Sequence, residues 1–443
     1  MFKNWKKYLS YILPTIIVMC INCTYNVVDQ MFVGNMIGAF GLTALQTVGP
    51  LLLFLTTAFA AVFNSGGAIR ISQEIGKNNV SNANKYFGNM IICHVIYCIC
   101  GSIISFLFLN NFLNLFNISS EALTLAKQYG SIMIFGALFS ALGPSLAFIF
   151  KNYGHPIISM SLISSSLILN IIFDAVLIPR FGISGAAYAT IGSQFILFVI
   201  DVILLYVIVK KDFNIKLIDI KPNILKIKDL IKRGIPGLGD PISVFGTMLF
   251  HNIAITYYYN DSYLPIYNCL FGMDAIGMAI ISGIILGIQP LLSKSYGESN
   301  KIELKNIFKF SMFFVICFGI ISTILFVIYS NAIPLLFGLK GDLFTLAAHA
   351  TLISCFTYIF FGPVKIFYIY YQSINKTLLS SLIAYIDIFV LLPLMLYSLP
   401  KLIGLNGIWL ALPISKFIML CLILFYISWR KLTSQELIES NFK

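Results

Sequence analysis

The sequence predicts an all-α integral membrane protein whose twelve transmembrane helices form two pseudo-symmetric six-helix lobes. Three observations predict it. Of the 443 residues 59% are apolar and only 10% charged, with a mean hydropathy of +0.91. That is too little charge to cover a soluble surface of this size. The apolar residues come in runs of about 20 or more, each long enough to cross a bilayer as a helix. The second half of the chain also echoes the first at a nearly constant offset.

Taken in order, the apolar runs fall at roughly 10–33, 45–72, 86–109, 123–149, 157–178, 184–208, 236–259, 264–293, 306–330, 343–371, 377–399 and 405–428. The short alternating strands of a membrane barrel do not occur. The first run follows Lys3, Lys6 and Lys7. It is long and no small-x-small cleavage site follows, so it reads as a retained span. Cys20 and Cys23 form a C-x-x-C inside that span, where packing is the expected role. The nine cysteines have no zinc-type spacing.

Charge orients the spans. With the N-terminus inside, the inner loops and span ends hold 23 of the 29 Lys and Arg residues and the outer ends hold four. Lys365 and Lys416 fall within spans and complete the count. This split predicts that both termini are cytoplasmic and the number of spans even. The net charge of +12 therefore marks topology, and its dispersion over many loops argues against a nucleic-acid surface.

The internal repeat is carried by three matches. "ILPTII" around Pro14 pairs with "GIPGLG" around Pro236, and "GISGAAYA" around Gly185 with "GLNGIWLA" around Gly407, each 222 positions apart. "SQEIGKNN" around Gly76 pairs with "SKSYGESN" around Gly297 at 221. The expected organisation is an N-terminal six-helix lobe over 1–208, a cytoplasmic basic linker over 209–233, a C-terminal lobe over 234–430 and a cytoplasmic tail over 431–443. Six spans per lobe make the repeat parallel, an arrangement suited to alternating access about a site between lobes. The linker "KKDFNIKLIDIKPNILKIKDLIKR" has apolar residues at helical spacing with lysines between them. It reads as a surface helix on the inner leaflet.

Ionisable residues inside spans cost about 2.5–3.5 kcal/mol each at the membrane centre and need a reason. They are Asp29, His94, Asp174, Asp201, Asp240, His251, Asp274, Lys365, Asp387 and Lys416. Asp201 and Asp240 are expected near helix ends, where a charge reaches the interface. Asp174 has company: Asn170 lies one turn earlier on the same face, Thr190 follows across a short turn, and Asp29 sits towards the outer end of the first span. Two carboxylates, an amide and a hydroxyl suit Na⁺ or a proton; the alternative is that each acid pairs with a lysine or a backbone group to join helices. At the repeat offsets these residues correspond to Phe250 or His251, Leu391 or Leu392, Met395 or Leu396, and Ala411 or Leu412, none of them acidic. An architectural role would be expected in both lobes, so the asymmetry favours a cation site.

The stretches "YNVVDQMFVGNMIG", "SGGAIRISQEIGKNN", "GHPIISMSLISSSLILNIIFDAVLI", "GISGAAYAT" and "GIQPLLSKSYG" follow one another along the chain. Together and in this order they resemble the multidrug and toxic compound extrusion (MATE) family of cation-coupled exporters. The resemblance implies that Asp29, Asn170, Asp174 and Thr190 bind the coupling ion, H⁺ or Na⁺, as in bacterial multidrug exporters with an N-terminal-lobe site. It implies no further cofactor. Another branch of the family carries acids on spans 7 and 10; here those spans hold His251 and Lys365.

The expected function is cation-coupled export of amphipathic organic cations from the cell membrane by a lipid-embedded monomer. The expected substrate cavity includes Tyr25, Asn26, Phe54, Tyr257, Tyr258, Phe271 and Asp274. A lipid-linked oligosaccharide flippase of the same superfamily is the alternative, for which Lys365 and Lys416 would meet an anionic headgroup. An integral-membrane enzyme is disfavoured: H-E-x-x-H, Walker A and G-x-S-x-G signatures are all missing from the sequence.

Overall fold

The computed structural model describes residues 4–52, 55, 58–114, 119–209, 221–259, 263–336 and 339–440. Among them every regular element is helical. In order they are α1 (Trp5–Met36), α2 (Ala39–Leu52), α3 (Phe59–Gly76), α4 (Val80–Leu113), α5 (Ser120–Asn152), α6 (Pro156–Phe181) and α7 (Ile183–Leu204), which continues as a π-turn at Leu205–Val209. Helix α8 (Ile224–Gly234) ends in a 3₁₀ turn at Ile235–Leu238 and is followed by α9 (Gly239–Tyr258), α10 (Leu264–Gly297), α11 (Lys301–Ile328) and the short α12 (Ala332–Leu336). The last helices are α13 (Gly341–Ser354), α14 (Thr357–Ser373), α15 (Thr377–Ile386, with a π-turn at Asp387–Leu391), α16 (Leu392–Ile403) and α17 (Leu405–Ser440).

Local chemistry fixes many of the boundaries. Asn79, Ser119 and Asn223 each accept a hydrogen bond from a first-turn amide of the helix they precede, and Pro156 opens α6. Gly182 and Gly404 close α6 and α16 with φ of 57° and 63°, a conformation glycine adopts without a Cβ clash.

Nine segments among the described residues are long and apolar enough to cross a membrane, and the pair α13–α14, bent by 41°, makes a tenth if it is one span. Twelve were expected. The expected span 45–72 runs through residues 53–54 and 56–57, which lie outside the described residues. The expected span 236–259 is α-helical only from Gly239, and this helix, which carries Asp240, His251 and Asn252, is not among the nine. Residues 210–220 of the expected linker also lie outside the described residues, while the expected tail remains helical to Ser440.

The chain divides into two compact units, Met1–Leu238 with Ser282–Ile307, and Gly239–Ile281 with Phe308–Lys443. Helix α10 contributes to both. Its C-terminal part joins the first unit because glycines let backbones meet. A Cβ on Gly297 would strike the Gln73 carbonyl, one on Gly76 the Lys294 carbonyl, and one on Gly283 would meet the Ile16 main chain. Within the first unit two apolar layers form at opposite ends of the same helices. One gathers Val18, Phe87, Phe150 and Leu167; the other gathers Val33, Val48, Ile134 and Ile178.

The sequence repeat returns as repeated local geometry. Gly182 and Gly404 share the same turn: each amide donates to the carbonyl four residues back, at 2.8 and 3.0 Å, and each carbonyl accepts from Gly185 or Gly407 at 2.9 Å. Asn78 and Ser299, 221 positions apart, both take positive φ after α3 and α10. Gly154 and Asn375, also 221 apart, do so after α5 and α14.

Candidate cation site

The four residues singled out from the sequence lie in one unit, on α1, α6 and α7. Asn170 and Asp174 are one turn apart on α6, 1% and 0% exposed. Asn170 donates from Nδ2 to the Thr190 hydroxyl at 3.4 Å, and that hydroxyl donates to the Ala186 carbonyl at 3.1 Å. The Asp29 and Asp174 carboxyl groups are within hydrogen-bonding reach of each other. A close α6–α7 turn assembles this arrangement. A Cβ on Gly185 would strike the Leu177 carbonyl, so glycine there lets Thr190 face α6. By position along the helices the cluster lies between the two apolar layers.

The electrostatics are unbalanced. Among the described residues Asp29 Oδ1, Asn170 Oδ1 and both oxygens of Asp174 have no hydrogen-bond donor. Burial without a donor is costly for a carboxylate, and two adjacent carboxyl groups cannot both hold charge without a cation or a shared proton between them. The donor set is all oxygen, which suits a hard monovalent ion or a proton. Among the described residues no group of three or more His, Cys, Asp or Glu gathers as for a transition metal.

Two tyrosines complete the cluster. Tyr25, expected in the substrate cavity, is within hydrogen-bonding reach of Thr190 and interacts electrostatically with both acids. Tyr129 of α5 is buried and interacts electrostatically with Asp29, Asp174 and Tyr25. The sequence carries no signal for Tyr129, since a tyrosine in an apolar run resembles any packing residue.

The other expected cavity residues are placed as follows, Phe271 and Asp274 standing one turn apart on α10. The Asn26 side chain and Phe54 lie outside the described residues. Tyr257 and Tyr258 stand at the end of α9, where the Tyr258 hydroxyl donates to the Tyr397 carbonyl at 2.8 Å. Phe271 packs on Tyr267, whose ring stacks on His251 at 4.8 Å. Asp274 accepts a 2.7 Å hydrogen bond from Tyr358.

The remaining buried ionisable groups sort themselves by partner. Lys416 pairs with Asp387 in a buried contact, and Lys365 pairs with Asp240, whose side chain is exposed as expected near a helix end. His94 is buried between the Met90 carbonyl and Ser145. Asp201 departs from expectation. It is fully buried on α7 and neither carboxylate oxygen has a donor among the described residues, because its helix turns it inward.

The MatE family model matches residues 14–176 and 242–397. The multidrug export protein MepA of Staphylococcus haemolyticus is 24% identical over 414 residues, covering 91% of this chain and 89% of its own. MepA of a Staphylococcus aureus strain is 26% identical over 330 residues, 72% of each chain. A solved MATE structure in complex with MaL6 superposes with a TM-score of 0.89 at 19% identity, covering 97% of both chains. A MOP-superfamily transporter from Pyrococcus furiosus superposes at 0.88 with 20% identity, covering 96% of this chain and 95% of its own. Because the family model takes in both halves of the sequence, the chain belongs to the MatE family, the multidrug and toxic compound extrusion transporters.

Proposed function

We propose that this protein is a secondary active multidrug exporter of the cell membrane, driven by H⁺ or Na⁺ moving inward through Asp29, Asn170, Asp174 and Thr190. The observation that carries the reading is Asp174, fully buried beside Asp29 with no donor to either oxygen among the described residues. The multidrug export activity named for the staphylococcal relatives supports the cargo class. Twelve spans in two six-helix lobes, with both termini cytoplasmic, provide the frame. The cation binds from outside, changes the packing of α1, α6 and α7, and favours release of an amphipathic organic cation outward. The lobes then rock inward, the ion leaves, and new substrate enters. Coupling requires the ion to bind the two states with unequal affinity. The flippase reading would use Lys365 and Lys416 for an anionic headgroup, and both are already ion-paired with acids.

The test is efflux of a fluorescent organic cation from proteoliposomes under an imposed proton or sodium gradient. Wild-type protein exports under one gradient, and Asp174→Asn falls to the level of empty liposomes while eluting as a folded monomer. Normal export by Asp174→Asn under either gradient would overturn the proposed site.

A further inference from the structure

Helix α8 has two unlike sides. One is clamped to the first unit. Leu230 is buried; a Cβ on Gly66 would strike its carbonyl, and one on Gly234 would strike that of Val62, so the α8 and α3 backbones are in contact. Asp229 accepts hydrogen bonds from Arg70 Nε at 2.5 Å, Tyr86 Oη at 2.8 Å and Arg233 Nε at 2.8 Å. Lys226 donates to Asn82 and lies over the Tyr86 ring.

The other side is open. At about 100° per residue, Ile224, Leu225, Lys228, Ile231, Lys232 and Ile235 fall in a single arc opposite Leu230 and Gly234. Ile224 is 63% exposed, Leu225 74%, Ile231 38% and Ile235 43%, and both lysines are exposed. The helix's one acid, Asp229, is on the clamped side with three donors. Among the described residues of α8, the open face is therefore an apolar strip edged by lysines.

Its depth indicates what covers it. Val62 and Gly66 belong to the apolar run 45–72, and the residues of α8 that touch them are Gly234 and Leu230. Ile231 and Ile235 are their chain neighbours. Ile235 also directly precedes the apolar run 236–259, so the exposed isoleucines stand at the start of that run, and the lysines lie beside them.

We infer that this face of α8 docks on anionic phospholipid in the leaflet at this end of the bundle. The isoleucines enter the acyl boundary, and Lys228 and Lys232, with the exposed Lys221 ahead of the helix, pair with the headgroup phosphates. Because α8 is fixed to α3 and α4 through Asp229 and the two glycines, bound lipid also steadies those two helices.

Hydrogen–deuterium exchange of residues 221–235 in nanodiscs tests this, with phosphatidylcholine alone compared with a mixture containing phosphatidylglycerol. Exchange in α8 is expected to slow by about tenfold in the anionic discs, an effect that high salt reverses. The triple variant Lys221→Gln, Lys228→Gln, Lys232→Gln changes only exposed side chains and is expected to lose the difference while α5 and α6 exchange as in wild type. Equal exchange in both lipids, or protection that survives the triple variant, overturns the proposal. So does protection that requires two protein copies per disc, which would assign the face to a second chain.

Discussion

Lys151, at the C-terminal end of α5, donates a 2.6 Å hydrogen bond from Nζ to the main-chain carbonyl of Leu286 on α10. That carbonyl would ordinarily accept from the amide four residues on, but residue 290 is proline and has no N–H. A buried lysine of the neighbouring helix supplies the donor that the α10 backbone lacks. The second unit uses a hydroxyl in the same way: Ser354 donates at 3.4 Å to the Trp409 carbonyl, four residues before Pro413. In a bilayer such freed carbonyls have no water to turn to.

Lys151→Met is therefore expected to destabilise the protein by about 1–3 kcal/mol, the cost of leaving a buried acceptor unmade. Pro290→Ala restores the intrahelical donor, so the same lysine substitution should cost much less in that background. Thermal unfolding of the two singles and the double in detergent measures the difference.

Lys416 and Asp387 form a buried ion pair within the second unit. Removing one partner strands the other, at an expected cost of about 3–5 kcal/mol. Lys416→Met should reach that cost, and Lys416→Met with Asp387→Leu should recover most of it. If the double variant is no more stable than the single, the pair is not what holds α15 and α17 together.

Tyr129 interacts electrostatically with both acids of the candidate cation site. Tyr129→Phe removes the hydroxyl and keeps the ring that packs in the apolar layer. The expected result is an unchanged unfolding temperature with the half-saturating concentration of the coupling ion shifted about fivefold, the equivalent of about 1 kcal/mol. Flux measured against ion concentration in proteoliposomes reads this directly.

Asp229 ties α8 to α3 in a pH-dependent way. Burial pushes its carboxyl up, but hydrogen bonds from Arg70 and Tyr86 and the charges of Arg233 and Arg70 outweigh it, leaving it below the ordinary aspartate range. A group lowered in the folded state contributes stability above its unfolded value, about 4, and loses that contribution as pH falls through the folded value. Wild-type protein should thus lose unfolding temperature between pH 5 and pH 3 more steeply than Asp229→Asn, which is weaker at pH 7 and flatter below it.

Much of this protein is legible one residue at a time. The cost of burying charge in apolar runs points to Asp29, Asn170, Asp174 and Thr190 before any contact is known, because each lies on a strongly apolar helix and two share a face. The structure brings those four together. The repeat is legible for a similar reason: Gly182 and Gly404 need the same positive φ, and a backbone requirement leaves its mark on the sequence.

Other features depend on how helices rotate and lean, which no local pattern encodes. Tyr129 reads as packing until α5 turns it towards the acids. Asp201 reads as a helix-end charge until α7 turns it inward, and the nearness of Tyr25 to Thr190 shows only once α1 and α7 are packed. The sequence by itself determined that the chain is helical, membrane-embedded and duplicated, since hydrophobic run length and glycine conformation are properties of neighbouring residues. Only the tertiary structure decided which buried polar atoms find a donor, because that depends on side chains brought together from helices more than 100 positions apart, as Lys151 and Leu286 are.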